Sequence, residues 1–220
     1  RTGLPRATSH GWLGVRQVRV VIAVLSAVAI GLGLALVAYR GWPVLAMGAA
    51  SLLAALAYMG GPKPIAYTPL GELTVFVFFG LVAVLGTDWL VTGSTGALTW
   101  MAAASVGCLA AAALAVNNHR DIVHDRQVGR STFATRYGVP ASHRLLAVLL
   151  GLPFLLQGLM GVLGGPWLWL PCGLAPMAWR LYRDFVACPP GLPYNGILFR
   201  VFRFELWFAL WLSVGALLGS

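Results

Sequence analysis

Long runs without a formal charge recur along this chain and dictate its environment. Residues 20–39 contain no Asp, Glu, Lys or Arg, and residues 145–179 extend the same character further. A bilayer core about 30 Å thick is crossed by about 20 apolar residues in a helix. The runs are rich in Ala, Leu, Val and Gly and show no period-2 alternation. They predict an all-α polytopic membrane helical bundle rather than a membrane β-barrel. Hydrophobic residues make up 59% of the chain and charged residues 10%, against roughly 25% charged in soluble domains. With a mean hydropathy of +0.82, residues 1–220 read as one membrane domain, not two soluble ones.

The net charge of +9 does not point to nucleic acid. The basic residues sit between apolar spans, where they report topology and contact with anionic lipid. Cys108, Cys172 and Cys188 lie far apart with no paired spacing, which predicts small buried packing residues and neither a disulfide framework nor a zinc site. The opening stretch, 1–19, is polar and basic and lacks an apolar signal core. It begins without Met, so the start is read as processed or as the edge of a longer chain.

Seven spans are expected, at residues 18–39, 41–59, 72–91, 96–116, 145–163, 165–181 and 197–218. The long run at 145–179 is divided because Gly164, Gly165 and Pro166 offer a turn near its middle. With that division, every one of the 15 Lys and Arg residues except Arg40 falls on one side. The positive-inside bias places that side in the cytoplasm. Trp42, Trp89, Trp167 and Trp169 then fall near the opposite interface, as an aromatic belt would. The long connections, 60–71, 117–144 and 183–196, all lie on the basic side, where a site is to be sought.

The stretch from Asn117 to Thr132 holds the chemistry. A helix continuing to about Val128 and capped by Gly129 would repeat Asn117, Asp121 and Asp125 every four residues on one face. Hard oxygen ligands suit Mg²⁺, which takes one or two carboxylates with phosphate oxygens and water. Two carboxylates are too few for a closed protein cage, but they suffice if a diphosphate completes the shell. Arg120, Arg126, Arg130 and Arg136 stand in the same segment, and the planar guanidinium fork suits phosphate. The competing reading is a solvated, mutually neutralising loop that sets topology.

The order Asn117-Asn118-x-Arg120-Asp121-x-x-x-Asp125-x-x-x-Gly129-Arg130-x-Thr132 resembles the second aspartate-rich motif of the intramembrane (UbiA-type) prenyltransferases. The paired Asn and the trailing Gly-Arg-x-Thr are similar to the branch that prenylates 1,4-dihydroxy-2-naphthoate, with Arg130 where that branch has Lys. The block from Gly60 to Glu72, followed by the helix from Phe76 to Gly80, is similar to that branch's loop and next helix. Leu192-Pro193-Tyr194-Asn195 is a weaker match. The resemblance implies nine helices around a cavity, of which this chain would hold the last seven. The first two helices and the first aspartate motif would be missing, and the segment from Arg1 to Arg6 resembles the one just after that motif.

The resemblance further implies Mg²⁺ held by Asp121, Asp125 and Asn117, and a polyprenyl diphosphate met by Lys63, Arg120, Arg126, Arg130 and Arg136. Asn118 and Tyr58 would contact substrate, and Tyr67 would act in catalysis. The acceptor would lose its carboxyl group as the chain attaches, giving demethylmenaquinone at the cytoplasmic face of the cell (inner) membrane. Rival readings are another aromatic acceptor (4-hydroxybenzoate, homogentisate or a chlorophyllide), an inactive truncated protein, and an ion-binding transporter. A transporter would place its ionisable residues near mid-membrane, whereas these cluster at one edge.

Other residues carry plainer readings beside functional ones. Lys63 could simply set topology. Tyr67 and Tyr58 could pack at the interface, or offer a ring face to an allylic cation. His119 and His124, five apart, do not share a helix face, which disfavours a zinc pair; His124 reads as solvated or as an outer partner of the site. Glu72 favours a helix N-terminus. Asp184 and Glu205 are expected to pair with nearby arginines, and Asp88 to lie at the outer interface. Gly31 and Gly33 predict close helix packing.

Overall fold

The structure is a computed structural model and describes Thr8 and residues 11–189 and 191–219. Arg1, Arg6 and the segment between them lie outside the described residues. The helices are α1 (Val15–Arg40), α2 (Trp42–Met59), α3 (Gly71–Thr92), α4 (Ala97–Arg120), α5 (Ile122–Gln127), α6 (Phe133–Gly164), α7 (Ala175–Ala187) and α8 (Tyr194–Gly219). Among the described residues there is no strand. All but α5 and α7, six helices, are long and apolar enough to cross a membrane. The protein is an all-α, multi-pass membrane bundle.

The expected span at 165–181 is not an unbroken α-helix. Pro166–Leu174 winds as a 3₁₀ helix of 9 residues and runs into the 13 residues of α7. Pro166, Pro171 and Pro176 each lack an N–H donor and resist a continuous α-helical ladder. At rises of about 2.0 and 1.5 Å per residue the composite is about 37 Å long, enough to cross. Its two ends lie at opposite ends of α8: the Trp167 carbonyl stands against Gly215, while Asp184 pairs with Arg200 at 2.8 Å. Helix also precedes the expected start at residue 145: Gly138 (φ 81°, ψ 178°) leaves helical geometry just before Pro140 and divides α6 into a short helix, 133–137, and a long one, 139–164. Most of the expected loop 117–144 is therefore helical.

Contacts between helix ends fix the sides. Arg40 donates from Nε to the Leu90 carbonyl at 2.7 Å and from Nη2 to the Val91 carbonyl at 2.6 Å, joining the ends of α1 and α3 near Asp88. At the other end of the bundle, Ser131 N–H donates to the Tyr67 carbonyl at 3.0 Å, and Arg120 donates to Asn195 Oδ1 at 2.8 Å. The three long connections thus meet on one side, opposite Arg40.

The core is built around α4, where Ala103, Gly107, Ala111, Ala112 and Val116 are buried. Small side chains there let neighbours approach the backbone. Residues Phe76–Leu85 of α3 widen into a π-helix. Within it, a Cβ at Gly80 would fall 2.6 Å from the Ala103 carbonyl oxygen and 2.7 Å from Gly107 N. Helices α3 and α4 therefore touch backbone to backbone. By contrast α1 buries no residue and packs mainly against α2. The close packing expected at Gly31 and Gly33 is not found, since a Cβ at either meets nothing within 4 Å. The three cysteines are free, and Cys108 is buried in the core.

Gly80→Leu is expected to destabilise the bundle by about 1–3 kcal/mol through overpacking. Gly151→Ala, where a Cβ meets nothing, is expected to hold or raise stability by virtue of helix propensity. Thermal unfolding in detergent checks both; similar melting of the two variants would refute the backbone contact.

Candidate active site

The aspartate motif is built by a helix that breaks and resumes. Helix α4 ends at Arg120, and Asp121 (φ −92°, ψ 7°) lies between it and α5. The one continuous helix expected to Val128 is thus interrupted. Yet Asp121 N–H donates to the Asn117 carbonyl at 3.2 Å and Asp125 N–H to the Asp121 carbonyl at 2.8 Å. The three residues stay one turn apart. Gly129 (φ 72°) closes α5 in the left-handed conformation expected of it. Arg130 N–H reaches the Asp125 carbonyl at 2.8 Å and Gly129 N–H the Arg126 carbonyl at 3.3 Å, the bond pair of a Schellman cap. Arg130 is thereby turned back over the motif, and Thr132 accepts from Thr135 N–H to start α6.

Each carboxylate carries its own arginine. Arg120 Nε and Nη2 donate side by side to Asp121 Oδ1 and Oδ2 at 3.0 and 2.9 Å. Arg120 also donates to Asn117 Oδ1 and to Asn195 Oδ1, both at 2.8 Å. Arg120 and Asp121 are 7% and 3% exposed, so the sequence-predicted diphosphate ligand is turned into the protein. Asp125 Oδ1 pairs with Arg130 Nη1 at 3.3 Å, and Arg130 Nη2 donates to the Tyr67 hydroxyl at 3.1 Å. The Arg130 guanidinium lies 4.2 Å from the centre of the Tyr67 ring, so the face expected for an allylic cation carries arginine here. Burial pushes the Asp125 carboxyl above its ordinary range; Arg130 opposes this and the Asp121 charge adds to it.

Asn118 faces away from this pair. Its Nδ2 donates at 2.9 Å to Oε1 of Glu72, a residue only 6% exposed at the start of α3. Among the described residues Glu72 Oε2 has no hydrogen-bond partner. Tyr58 lies near that start, its hydroxyl 3.9 Å from where a Gly71 Cβ would stand, and it lines a cavity of about 530 Å³ between α2 and α3 with Thr74 and Phe78. His119 packs against Phe185, Tyr194 and His143 with ring centres 4.7, 5.2 and 5.3 Å away. Lys63, Arg126 and Arg136 are exposed, Arg136 lying 5.7 Å from the Tyr137 ring centre. Asp184 pairs with Arg200 and Arg183 as expected. Among the described residues Glu205 makes no ion pair; it is half-buried on α8, and Arg203, two positions before it, does not share its helix face.

Sequence reasoning missed two members of this region. Glu72 was assigned to its helix end, although its place eleven residues after Gly61 in the matched block was a signal. Asn195 stood in the weakly matched tail, and nothing local marks it as Arg120's partner.

Among the described residues, no group of three or more His, Cys, Asp or Glu could hold a metal ion. The donors present are two carboxylates and the Asn117 amide oxygen, all hard oxygens. This set fits Mg²⁺ when further oxygens arrive from outside the chain.

A multi-pass helical membrane protein with paired aspartates and arginines at one end of its bundle is the class that the fold and site define. The chain matches the UbiA prenyltransferase family over residues 5–189, and it belongs to that family. The 1,4-dihydroxy-2-naphthoate octaprenyltransferase of Mycobacterium tuberculosis is 35% identical over 163 residues, covering 73% of this chain and 56% of that protein. The Bacillus subtilis protein of the same name is 30% identical over 161 residues, covering 72% and 52%. That of Escherichia coli is 38% identical over 106 residues, covering 48% and 34%. The chain spans about half the length of the first two of these relatives. No solved structure matches it at a significant level.

Asn118→Leu removes the donor from a buried carboxyl and is expected to cost about 1–3 kcal/mol of stability. Adding Glu72→Leu should recover part of that loss, since no polar group is then left unpaired. Unfolding of the single and double variants decides: a double variant no better than Asn118→Leu alone would refute the pairing.

Proposed function

We propose that the protein transfers a polyprenyl group from a polyprenyl diphosphate to 1,4-dihydroxy-2-naphthoate, releasing diphosphate and the acceptor's carboxyl group as CO₂; the product is the quinol form of demethylmenaquinone, which a separate oxidation turns into the quinone. Residues 1–220 act in this reading as one intramembrane prenyltransferase domain, with the site open to the cytoplasm at the cell (inner) membrane. The observation that carries it is the pair Asp121 and Asp125, one turn apart at the end of a membrane-length helix, each beside an arginine. The names of the relatives support the choice of acceptor.

Asp121, Asp125 and Asn117 would hold Mg²⁺, which when bound neutralises charge on a leaving diphosphate. Arg130, half-buried beside Asp125, would turn its fork to the phosphate oxygens. Exposed Lys63, Arg126 and Arg136 would draw the anionic donor to the same side of the membrane. Tyr67 would hold Arg130 in place, and Tyr58 and Asn118 would contact the acceptor. The apolar helices around the site would seat an isoprenoid tail, each buried CH₂ contributing about 0.8 kcal/mol.

The test is transfer from farnesyl diphosphate by the full chain in lipid nanodiscs, with product read by mass spectrometry. Asp121→Asn and Asp125→Asn are each expected to abolish Mg²⁺-dependent product while leaving the helical content intact. Arg130→Ala should raise the donor KM about tenfold or more, the loss of one charged hydrogen bond. Product from 4-hydroxybenzoate, homogentisate or a chlorophyllide in place of the naphthoate would reassign the acceptor. Wild-type turnover in both aspartate variants would overturn the site.

A further inference from the structure

Arg120 donates four hydrogen bonds, each to another residue of the chain. It donates to both oxygens of Asp121, to Asn117 Oδ1 and to Asn195 Oδ1. At 7% exposure its guanidinium is enclosed by these partners. Two of them, Asp121 and Asn117, are the residues placed above at a metal site. The third, Asn195, stands in the first turn of α8, seventy-five residues away in sequence. A guanidinium is rigid and planar, so fixing one edge of it fixes the other. Holding Nη1 on Asn195 therefore sets the angle at which Nε and Nη2 present themselves to Asp121.

The two aspartates are consequently unequal. Asp121 is gripped side-on at 3.0 and 2.9 Å by an enclosed arginine, whereas Asp125 meets the more exposed Arg130 through one oxygen at 3.3 Å.

We propose that Arg120 and Asn195 are positioning residues: Asn195, from the last helix, orients the Arg120 fork, which holds Asp121 and Asn117 in the attitude that receives a divalent cation with diphosphate. The inference rests on the reading of Asp121 and Asp125 as a cation–diphosphate site. It assigns Arg120 to the protein's interior rather than to the diphosphate. It also makes the docking of α8 a condition for a competent site: a shift of that helix start would reach Asp121 through a single side chain.

The test is binding of Mn²⁺ to the full chain in detergent with inorganic diphosphate present, followed by electron paramagnetic resonance. Wild type is compared with N195A, N195D, D121N, D125N and the double variants N195A/D121N and N195A/D125N. N195A is expected to weaken Mn²⁺ binding about tenfold, as loss of a hydrogen bond to a charged group does. N195D, which still accepts from Arg120, should restore most of it. The loss should vanish in the D121N background and persist in the D125N background, because coupled residues fail to add. A merely structural Asn195 would lower the melting temperature while giving the same Mn²⁺ loss in both backgrounds, or none, and either result overturns the proposal. If wild type binds no Mn²⁺ with diphosphate, the cation–diphosphate reading itself falls, and this inference falls with it. If wild type binds and N195A binds equally well, only the positioning role is refuted.

Discussion

Burying a carboxylate at the edge of a lipid-embedded bundle costs several kcal/mol unless a cation sits against it. Asp121 and Asp125 are 3% and 2% exposed, and the architecture around them follows from that cost. Arg120 and Arg130 answer it from opposite directions, one from the end of α4 and one from the turn after α5. Because each arginine must also be satisfied, it recruits further groups: Asn117 and Asn195 for Arg120, and the Tyr67 hydroxyl and ring for Arg130. These secondary bonds draw the α2–α3 connection, the motif and the start of α8 to one place. The site is a network of charge compensation before it is anything else, and the same oxygens and guanidinium groups are those the proposed metal-bound diphosphate would meet.

The core serves the same end by different physics. Lipid offers no hydrophobic drive for one helix to meet another, so association relies on close packing. The Ala and Gly surface of α4 lets α3 and α6 lie close, and the Gly80–Gly107 contact fixes α3 against it. Glu72 and Asn118 then meet across that seam at the end nearest the aspartates. The π-helical stretch of α3 lies in the same contact, as such stretches do near functional sites. The outlying α1, with no buried residue, takes no part in this seam.

Much of this was legible in the chain. The helical class, the six long crossings, the gathering of the long connections on one side and the placement of Asn117, Asp121 and Asp125 at one-turn intervals all follow from local pattern. The left-handed Gly129 after α5 follows equally. What failed did so for identifiable reasons. The element at 166–187 runs past the 165–181 expected and begins as a 3₁₀ rather than an α-helix, because proline spacing outweighed apolar composition. The stretch at 117–144 is mostly helix, in pieces separated at Asp121, at 128–132 and at Gly138, because its charged residues hide helix from a search for apolar runs. Gly31 and Gly33 proved to face open space, since glycine content alone does not name a neighbour.

The amino-acid sequence by itself determined the solvent of this protein, its helices and the residue types of its site, because hydropathy, helix periodicity and turn chemistry act over a few residues at a time. Only the tertiary structure decided the partners. Arg120 turned inward to Asp121 and Asn195, Arg130 stacked on Tyr67, and Glu72 was buried against Asn118. Each of those pairs, save Arg120 with its neighbour, joins residues tens of positions apart. A buried charge takes whichever complementary group the packed helices bring within about 3 Å, and no local pattern carries that distance.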